Sequence, residues 1–232
     1  MKKEYITVAD IRVEVWWKAV KRIILVVYAA DGRVRISVPY ATPLALVQQT
    51  VFRRLDWIER QQNKFLNRAI PVQLQFVDGE QHSFLGKEYP LFIVASGSRH
   101  FVTFEPSAGI TLHLRPNSTK QQRQRLLDKW YREQLDSHIP GLLKHWRPLV
   151  GKDVYEFRIK KMKTRWGTCN INARRIWLNL ELIKKEVKCL EYIIVHEMVH
   201  LLEAGHTDTF YAHLDRLLPD WHSRDKLLKQ GY

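Results

Sequence analysis

The chain has 232 residues, of which 45% are hydrophobic and 27% charged, with 38 Lys and Arg against 24 Asp and Glu. This length holds one large domain or two small ones, and the apolar content is ample for a packed core. The formal net charge of +14 favours acidic partners such as nucleic acid, nucleotides, phosphates or an anionic membrane surface.

The first half of the chain is predicted to be rich in strands. Alternation of apolar and polar residues from Ile11 to Trp17 is typical of a half-buried strand, and Asp31-Gly32 predicts a hairpin between strands at 22–28 and 33–39. Thr42-Pro43 is expected to begin a helix that runs to about Asn63. Further strands are predicted at 72–77, 82–85, 89–95, 100–104 and 109–114.

Helical periodicity dominates after Pro116. Ser118 and Gln121 fit a capping box, and the helix that follows is predicted to break at Pro140-Gly141. Two strands, at 155–163 and 174–180, precede helices that fill the chain from Lys188 onward. The pattern predicts an α+β protein: a β-rich N-terminal region with one helix (residues 1–117), followed by a C-terminal region (118–232) that carries the candidate site.

Cysteine content and the absence of long apolar runs indicate a compartment. Cys169 and Cys189 are too few for a disulfide framework in a chain of this length. The first residues lack the apolar segment of a secretory signal, and no run approaches the length of a membrane span. We expect a cytoplasmic protein with reduced thiols and no membrane partner, and the oligomeric state stays open.

The most informative motif is His196-Glu197-Met198-Val199-His200, which lies in an apolar run. On a helix, two histidines four residues apart share one face, so both imidazoles can bind one metal ion. Glu197 can then take a proton from a water at that ion. Two histidines and a glutamate on an apolar helix would otherwise lose hydration for little return.

A catalytic zinc site commonly has three protein ligands and one open position. No Glu follows Glu203, so a glutamate from a later helix is excluded, and His206 is the best candidate. Gly205 is expected to end the helix in the left-handed conformation, which lets the chain turn back. Thr207 or Asp208 would cap the next helix, up to about Leu218. Weaker ligand candidates are Asp208, Asp215, Asp220, Asp225, His213 and His222.

Positive charge is concentrated between Thr111 and Ile176, where we count 16 Lys and Arg against 5 Asp and Glu. A solvated basic face explains such a surplus, and so does contact with nucleic acid or another polyanion. Both interpretations stay open.

Several motifs together resemble one known family. They are Gly32–Pro39, Phe84–Tyr89, Met162–Cys169, Ile176–Leu180, His196–Leu202, His206 and Leu218–Trp221. This pattern looks like the YgjP-like metallopeptidase family of metal-dependent hydrolases, which is similar to SprT-like proteases that act on DNA-bound proteins. The resemblance implies a zincin-like C-terminal core in which His196, His200 and His206 bind the metal and Glu197 is the acid/base. The segment Val15–Val20 departs from the family pattern.

The segment Met162–Leu180 precedes the metal helix, which is the predicted helix that carries His196 and His200, and this segment has its own interpretation. In zincins a strand edge beside that helix often pairs with an extended peptide, and residues 175–180 are the candidate edge. Gly167 is expected to permit a turn. One role open to Arg165 is to neutralise an anionic substrate or transition state, but a lone basic residue is weak evidence of a site. Three side chains are expected to pack against the metal helix: Trp166, Trp177 and Leu178. Cys169 is expected to be buried and structural, because a fourth ligand would close the site.

The sequence therefore predicts a zinc-dependent hydrolase, with a metallopeptidase acting on polypeptide as the first candidate, and other divalent transition metals suit the same ligands. One alternative is a metal-dependent nucleoside triphosphate pyrophosphohydrolase. A second is a basic nucleic-acid-associated protein with a structural metal. Tyr211, His213 or Arg165 could serve as a second electrophile.

Overall fold

The computed structural model of the chain describes residues 2–28, 31–66, 74–97 and 99–229. The chain divides into two compact units, Met1–Gln73 and Leu74–Tyr232, each with its own hydrophobic core. Strands dominate the N-terminal half and helices the C-terminal part, so the α+β prediction is confirmed. The predicted domain boundary near residue 117 falls inside the second unit, and as a boundary between domains it stays a prediction.

The first unit is a four-stranded sheet covered on one face by two helices. Its elements are β1 (Lys2–Val8), β2 (Ile11–Trp17), β3 (Ile24–Val27), β4 (Val34–Val38), α1 (Leu44–Phe52) and α2 (Leu55–Leu66). The strand order is β1-β2-β4-β3, with β2 and β4 parallel and the other pairs antiparallel. The hairpin around Asp31-Gly32 is confirmed. The single helix predicted up to Asn63 is interrupted at 53–54, and nothing in the local sequence marks that interruption.

The core of the first unit explains why one face of this sheet is covered. Alternate residues of β2 and β4 are fully buried and belong to the same cluster as the buried helix residues. These side chains are Val13, Val15, Val34, Ile36, Val38, Val47, Val51 and Ile58. The residues between them lie on the opposite face of the sheet, with a period of two, and of these Ser37 is buried as well.

The second unit begins with another four-stranded sheet. Its strands are β5 (Gln81–Phe84), β6 (Lys87–Ala95), β7 (Phe101–Glu105) and β8 (Gly109–Leu114), in the order β5-β6-β8-β7. The strand predicted at 72–77 is wrong for residues 74–77, which form no strand, and residues 72 and 73 lie outside the described part. Buried residues of this sheet share a core with the helices that follow.

The helix α3 (Lys120–Val150) runs unbroken through Pro140, contrary to the predicted break. Pro140 is exposed, so its missing N–H weakens the helix on the solvent side, where water can bind the freed carbonyl. The helix begins one residue later than predicted: Thr119 and Gln122, not Ser118 and Gln121, form the capping box.

A three-stranded sheet and three helices complete the second unit. The strands are β9 (Glu156–Lys160), β10 (Gly167–Asn170) and β11 (Arg175–Asn179), followed by a 3₁₀ turn (Leu180–Lys184) and by α4 (Val187–Val199), α5 (Asp208–Leu217) and α6 (Trp221–Lys229). The strand order is β10-β11-β9. Ile176 and Leu178 face the core shared with α4. Among the described residues, no helix is both long and apolar enough to cross a membrane.

Candidate metal centre

The helix α4 is buried along most of its length. Its apolar residues, from Leu190 to Val195 and from Met198 to Val199, belong to the core of the second unit. His196 and Glu197 lie in its last turn, and His200 forms its C-cap in a right-handed conformation. Gly205 is not the left-handed terminator that the sequence suggests, because the helix has already ended at Val199 and Gly205 has no positive φ.

The loop after α4 returns to the helix and brings a third histidine to the first two. Thr207 caps α5, with its hydroxyl accepting a hydrogen bond from the N–H of Phe210, and α5 ends at Leu217, close to the predicted end. One nitrogen from each of His196, His200 and His206 lies within 4.8 Å of the others. The Nε2 atoms of His206 and His196 are 3.0 Å apart.

Phe210 packs against the imidazole rings of all three histidines. It is fully buried, and its ring centroid lies 4.9 Å from that of His196 and 4.7 Å from those of His200 and His206. A buried apolar ring in contact with all three imidazoles restricts the rotation of those imidazoles. The three side chains are therefore held together by packing as well as by the helix and loop that carry them.

Hydrogen bonding indicates which nitrogens are free to bind an ion. Nδ1 of His200 lies 3.2 Å from the carbonyl oxygen of Glu203, to which it can donate as N–H, and this leaves Nε2 as the lone-pair donor. Nε2 of His196 and Nε2 of His206 already face each other. A tetrahedral zinc ion about 2.0–2.1 Å from two such nitrogens would hold them roughly 3.3 Å apart, which is close to the observed separation.

The charge states of the histidines also suit a metal. Burial lowers the pKa of His196 to about 4, and the neighbouring His200 and His206 act in the same direction. Burial likewise lowers the pKa of His200. Both rings are therefore neutral at physiological pH, which is the form that binds divalent ions.

Glu197 is a buried carboxyl without a partner on one oxygen. Only 4% of the residue is exposed, and within the described part of the chain its Oε2 makes no hydrogen bond. Burial raises the pKa of Glu197 to about 8, although the positive charge of Arg165 opposes the shift. Such a group is costly to bury, and a strongly shifted pKa of this kind is common among residues of functional sites.

The strand β10 contacts the glutamate through a glycine. A Cβ added to Gly167 would lie 2.5 Å from Oε1 of Glu197 and 2.8 Å from its Cγ. Gly167 lies within the strand and has no positive φ, so the expectation that it permits a turn is wrong. Its absent side chain makes room for the glutamate.

Asn179 positions the loop between β9 and β10 and was not singled out by its sequence. It is 1% exposed, and its Nδ2 donates to the carbonyl oxygens of Met162 and Arg165 at 3.0 and 2.9 Å. Its Oδ1 accepts from the N–H of Met162 at 3.2 Å. This loop carries the exposed Arg165 into the lining of the site. Asn179 is the last residue of β11, and its place within the motif Ile176–Leu180 is the sequence signal that could have identified it.

The site opens into a cavity of about 540 Å³. Its floor is formed by the histidines and Glu197, and one wall by residues 164–169. The edge strand at this wall is β10, because β11 lies in the middle of its sheet. The expectation that residues 175–180 form the edge is therefore wrong: strand order is decided by long-range pairing, which local sequence does not reveal.

The structure places the remaining candidates as follows. Leu178 is fully buried and Trp166 packs against the core, as expected, whereas Trp177 lies on the outer face of the sheet with Lys160 and Arg158 against its ring. Cys169 is only half-buried and lines the cavity. Burial is the main cause that raises the pKa of its thiol to about 11, and the charge of Glu197 adds to it.

The other proposed ligands lie outside the histidine cluster: Asp208, Asp215, Asp220, Asp225, His213 and His222. Tyr211 is partly exposed and stacks near His206.

A family model described as YgjP-like, metallopeptidase domain matches residues 21–231. The chain belongs to the YgjP-like metallopeptidase family. Membership makes it a metal-dependent peptidase in general terms, with a polypeptide as substrate. The match begins after β2, so the first two strands of this YgjP-like protein lie outside it.

A solved structure is similar to part of this chain. The crystal structure of the metallopeptidase zymogen of Pyrococcus abyssi abylysin covers 38% of this YgjP-like chain and 90% of its own, at 20% identity and a TM-score of 0.36. None of the curated protein sequences matches the chain significantly.

Proposed function

We propose that the chain is a zinc-dependent peptidase in which His196, His200 and His206 hold the metal and Glu197 is the general base. One observation carries this proposal: three histidine nitrogens lie within 4.8 Å of one another beside a buried carboxyl with an unpaired oxygen. Three imidazoles match the usual ligand set of a catalytic zinc site, and none of the other described His, Cys, Asp or Glu residues joins them to close it. Nickel, cobalt or manganese suits the same nitrogens.

The residues of the chain supply the rest of the chemistry. The bound ion would supply Lewis acidity, which favours the ionisation of water and polarises a carbonyl. The positive charge of that ion would stabilise the carboxylate form of Glu197, which is the form that accepts a proton. Glu197 takes the proton of the attacking water at its carboxylate and then passes it to the leaving amine.

The edge strand β10 fits the binding of an extended polypeptide. Among the described residues β10 pairs with β11 alone, so the backbone groups along its other side are available to a substrate strand. Addition of a strand there would place the substrate backbone along the wall of the cavity that Gly167–Cys169 form. The cavity and the edge therefore belong to one substrate-binding site.

A single pair of proteins tests the assignment. The parent and Glu197→Gln, both loaded with zinc, are incubated with an unfolded polypeptide, and bound zinc is measured by elemental analysis. We expect one zinc per chain in both proteins, because the substitution leaves the histidines intact. Cleavage should fall by at least about 100-fold in the variant, the scale of a lost general base. Cleavage that persists in Glu197→Gln rejects the role of this residue, and zinc-free protein rejects the metal centre.

One observation supports a second candidate, a nucleoside triphosphate pyrophosphohydrolase. Arg165 presents an exposed guanidinium in the lining of the cavity, and guanidinium groups bind phosphate well. Release of phosphate or pyrophosphate from a panel of nucleoside triphosphates separates the two candidates. If a phosphoanhydride is the true substrate, the parent should not cleave polypeptide. Arg165→Gln should then lose the release of phosphate or pyrophosphate.

A further inference from the structure

The sheet of the first unit has one open face that combines aromatic rings with cations. Its other face packs on α1 and α2. On the open side Tyr5 is 56% exposed, and Ile24 and Val26 of β3 are exposed as well. Apolar and aromatic side chains exposed in this way on a regular sheet are typical of a surface that binds a partner.

Strand pairing sets these side chains next to one another. In the β1–β2 pair, Lys3 lies opposite Trp16 and Tyr5 lies opposite Glu14. In the β2–β4 pair, Glu14 lies opposite Arg35. Neighbours across strands have Cβ atoms about 5 Å apart, and diagonal neighbours such as Tyr5 and Trp16 about 7–8 Å apart. The face thus presents rings at a spacing that successive nucleotides of an extended strand can bridge.

Each ring on this face has at least one cation against it. Arg12 lies 4.4 Å from the centroid of Tyr5, and Arg35 lies 3.7 Å from Trp16 and 4.8 Å from Tyr28. The other pairs are Lys3–Trp16 at 4.3 Å, Lys18–Trp16 at 5.5 Å and Arg33–Tyr28 at 5.3 Å. Rings and guanidinium planes both accept a stacked base.

Positive charge outweighs negative charge on the face. Its two acids are already paired, Glu14 with Arg35 at 2.9 Å and Asp31 with Arg33 at 2.5 Å. Lys3, Arg12 and Lys18 make no ion pair with any described residue, so they are available to an anion. Three available cations beside aromatic rings supply both kinds of contact that a single strand needs, cations for its phosphates and rings for its bases.

We propose that this aromatic–basic face, formed by Lys3, Tyr5, Arg12, Trp16, Lys18, Tyr28, Arg33 and Arg35, binds single-stranded nucleic acid. Phosphates would contact the three available cations, and bases would stack on the rings or on the guanidinium groups above them. The inference goes beyond the proposed peptidase. It does not follow from the family either, since β1 and β2 lie outside the matched residues.

The test measures binding of the full chain to fluorescent 15-nucleotide oligouridine and oligodeoxythymidine by anisotropy. With three phosphate contacts, the logarithm of the association constant should fall with the logarithm of salt concentration with a slope of about −2. Between 50 and 200 mM salt, affinity should therefore fall by about 20-fold. The zinc-loaded Glu197→Gln variant should bind like the parent, so the result does not depend on the peptidase assignment.

Matched variants separate this face from non-specific charge. Tyr5→Ala should weaken binding about tenfold and Tyr5→Phe should retain it, because stacking needs the ring and not the hydroxyl. Arg12→Gln should reduce the salt slope by about 0.7. The controls are Tyr40→Ala, which removes a ring of similar exposure outside the face, and Arg54→Gln on the helical side.

The proposal is overturned if Tyr40→Ala and Arg54→Gln weaken binding as much as the face variants do. Binding that Tyr5→Ala leaves unchanged overturns it too, provided that circular dichroism shows both proteins folded. Binding to vesicles that contain phosphatidylserine, with no binding to either oligonucleotide, would assign the face to an anionic membrane instead. Preference for one oligonucleotide decides between RNA and DNA.

Discussion

Replacement of Gly167 by alanine tests the geometry of the proposed base. The new Cβ would lie 2.5 Å from Oε1 of Glu197, whereas ordinary contacts begin at 3.4 Å. The carboxyl group must therefore retreat by about 0.9 Å, or β10 must move away from α4. Because Glu197 is only 4% exposed, few other positions are open to its side chain.

The expected loss follows from that displacement. A misplacement of about 1 Å in a catalytic group can lower the rate about 100-fold, so kcat/KM of Gly167→Ala should fall by roughly that factor. Overpacking should also cost about 1–3 kcal/mol of the free energy of unfolding. The content of zinc should stay at the parent level, because the three atoms nearest to the added methyl group all belong to Glu197.

The assay compares cleavage of an unfolded polypeptide by three zinc-loaded proteins: the parent, Gly167→Ala and Gly141→Ala. Gly141 lies in α3 and a Cβ there meets nothing within 4 Å, so this control adds the same methyl group without a clash. We expect the control to cleave like the parent. If Gly167→Ala cleaves as fast as the control, the close approach of β10 does not position Glu197, and the reasoning is refuted.

Two further predictions concern stability and are measured by urea unfolding without added metal. Burial acts to raise the pKa of Glu80, but hydrogen bonds from the N–H groups of Gln75 and Phe76, at 2.6 and 2.7 Å, leave that pKa lowered. Stability from this carboxylate is present above the unfolded pKa and is lost as pH falls through the folded pKa. Glu80→Gln should thus cost about 1–3 kcal/mol at pH 7 and progressively less in acid; a cost independent of pH would contradict this. Pro140→Ala should raise the free energy of unfolding by up to about 3 kcal/mol, because it restores an N–H inside α3; an unchanged value would show that the helix tolerates the proline without strain.

The sequence predicts local features of the site well. The i, i+4 spacing of His196 and His200 determines that they share a helix face, and the usual count of zinc ligands led to His206. The structure brings these three residues together. Local errors arise where neighbouring residues compete for one role, as at Thr119, which caps α3 in place of Ser118. Pro140 misleads for another reason. Whether a proline breaks a helix depends on whether it faces solvent, which the local sequence does not show.

By itself, the amino-acid sequence determined the motif and the helical face that carries it, because both depend on residues within a few turns of one another. It also determined the family to which the chain is similar, through short motifs spread from Gly32 to Trp221. Only the tertiary structure decided that β10 is the edge strand, that Gly167 makes room for Glu197, and that Phe210 supports the three imidazoles. Gly167 and Glu197 are 30 positions apart, the edge depends on strand order, and Phe210 reaches the imidazoles only because the loop after α4 turns back. The free energy of these contacts comes from packing that local patterns do not encode.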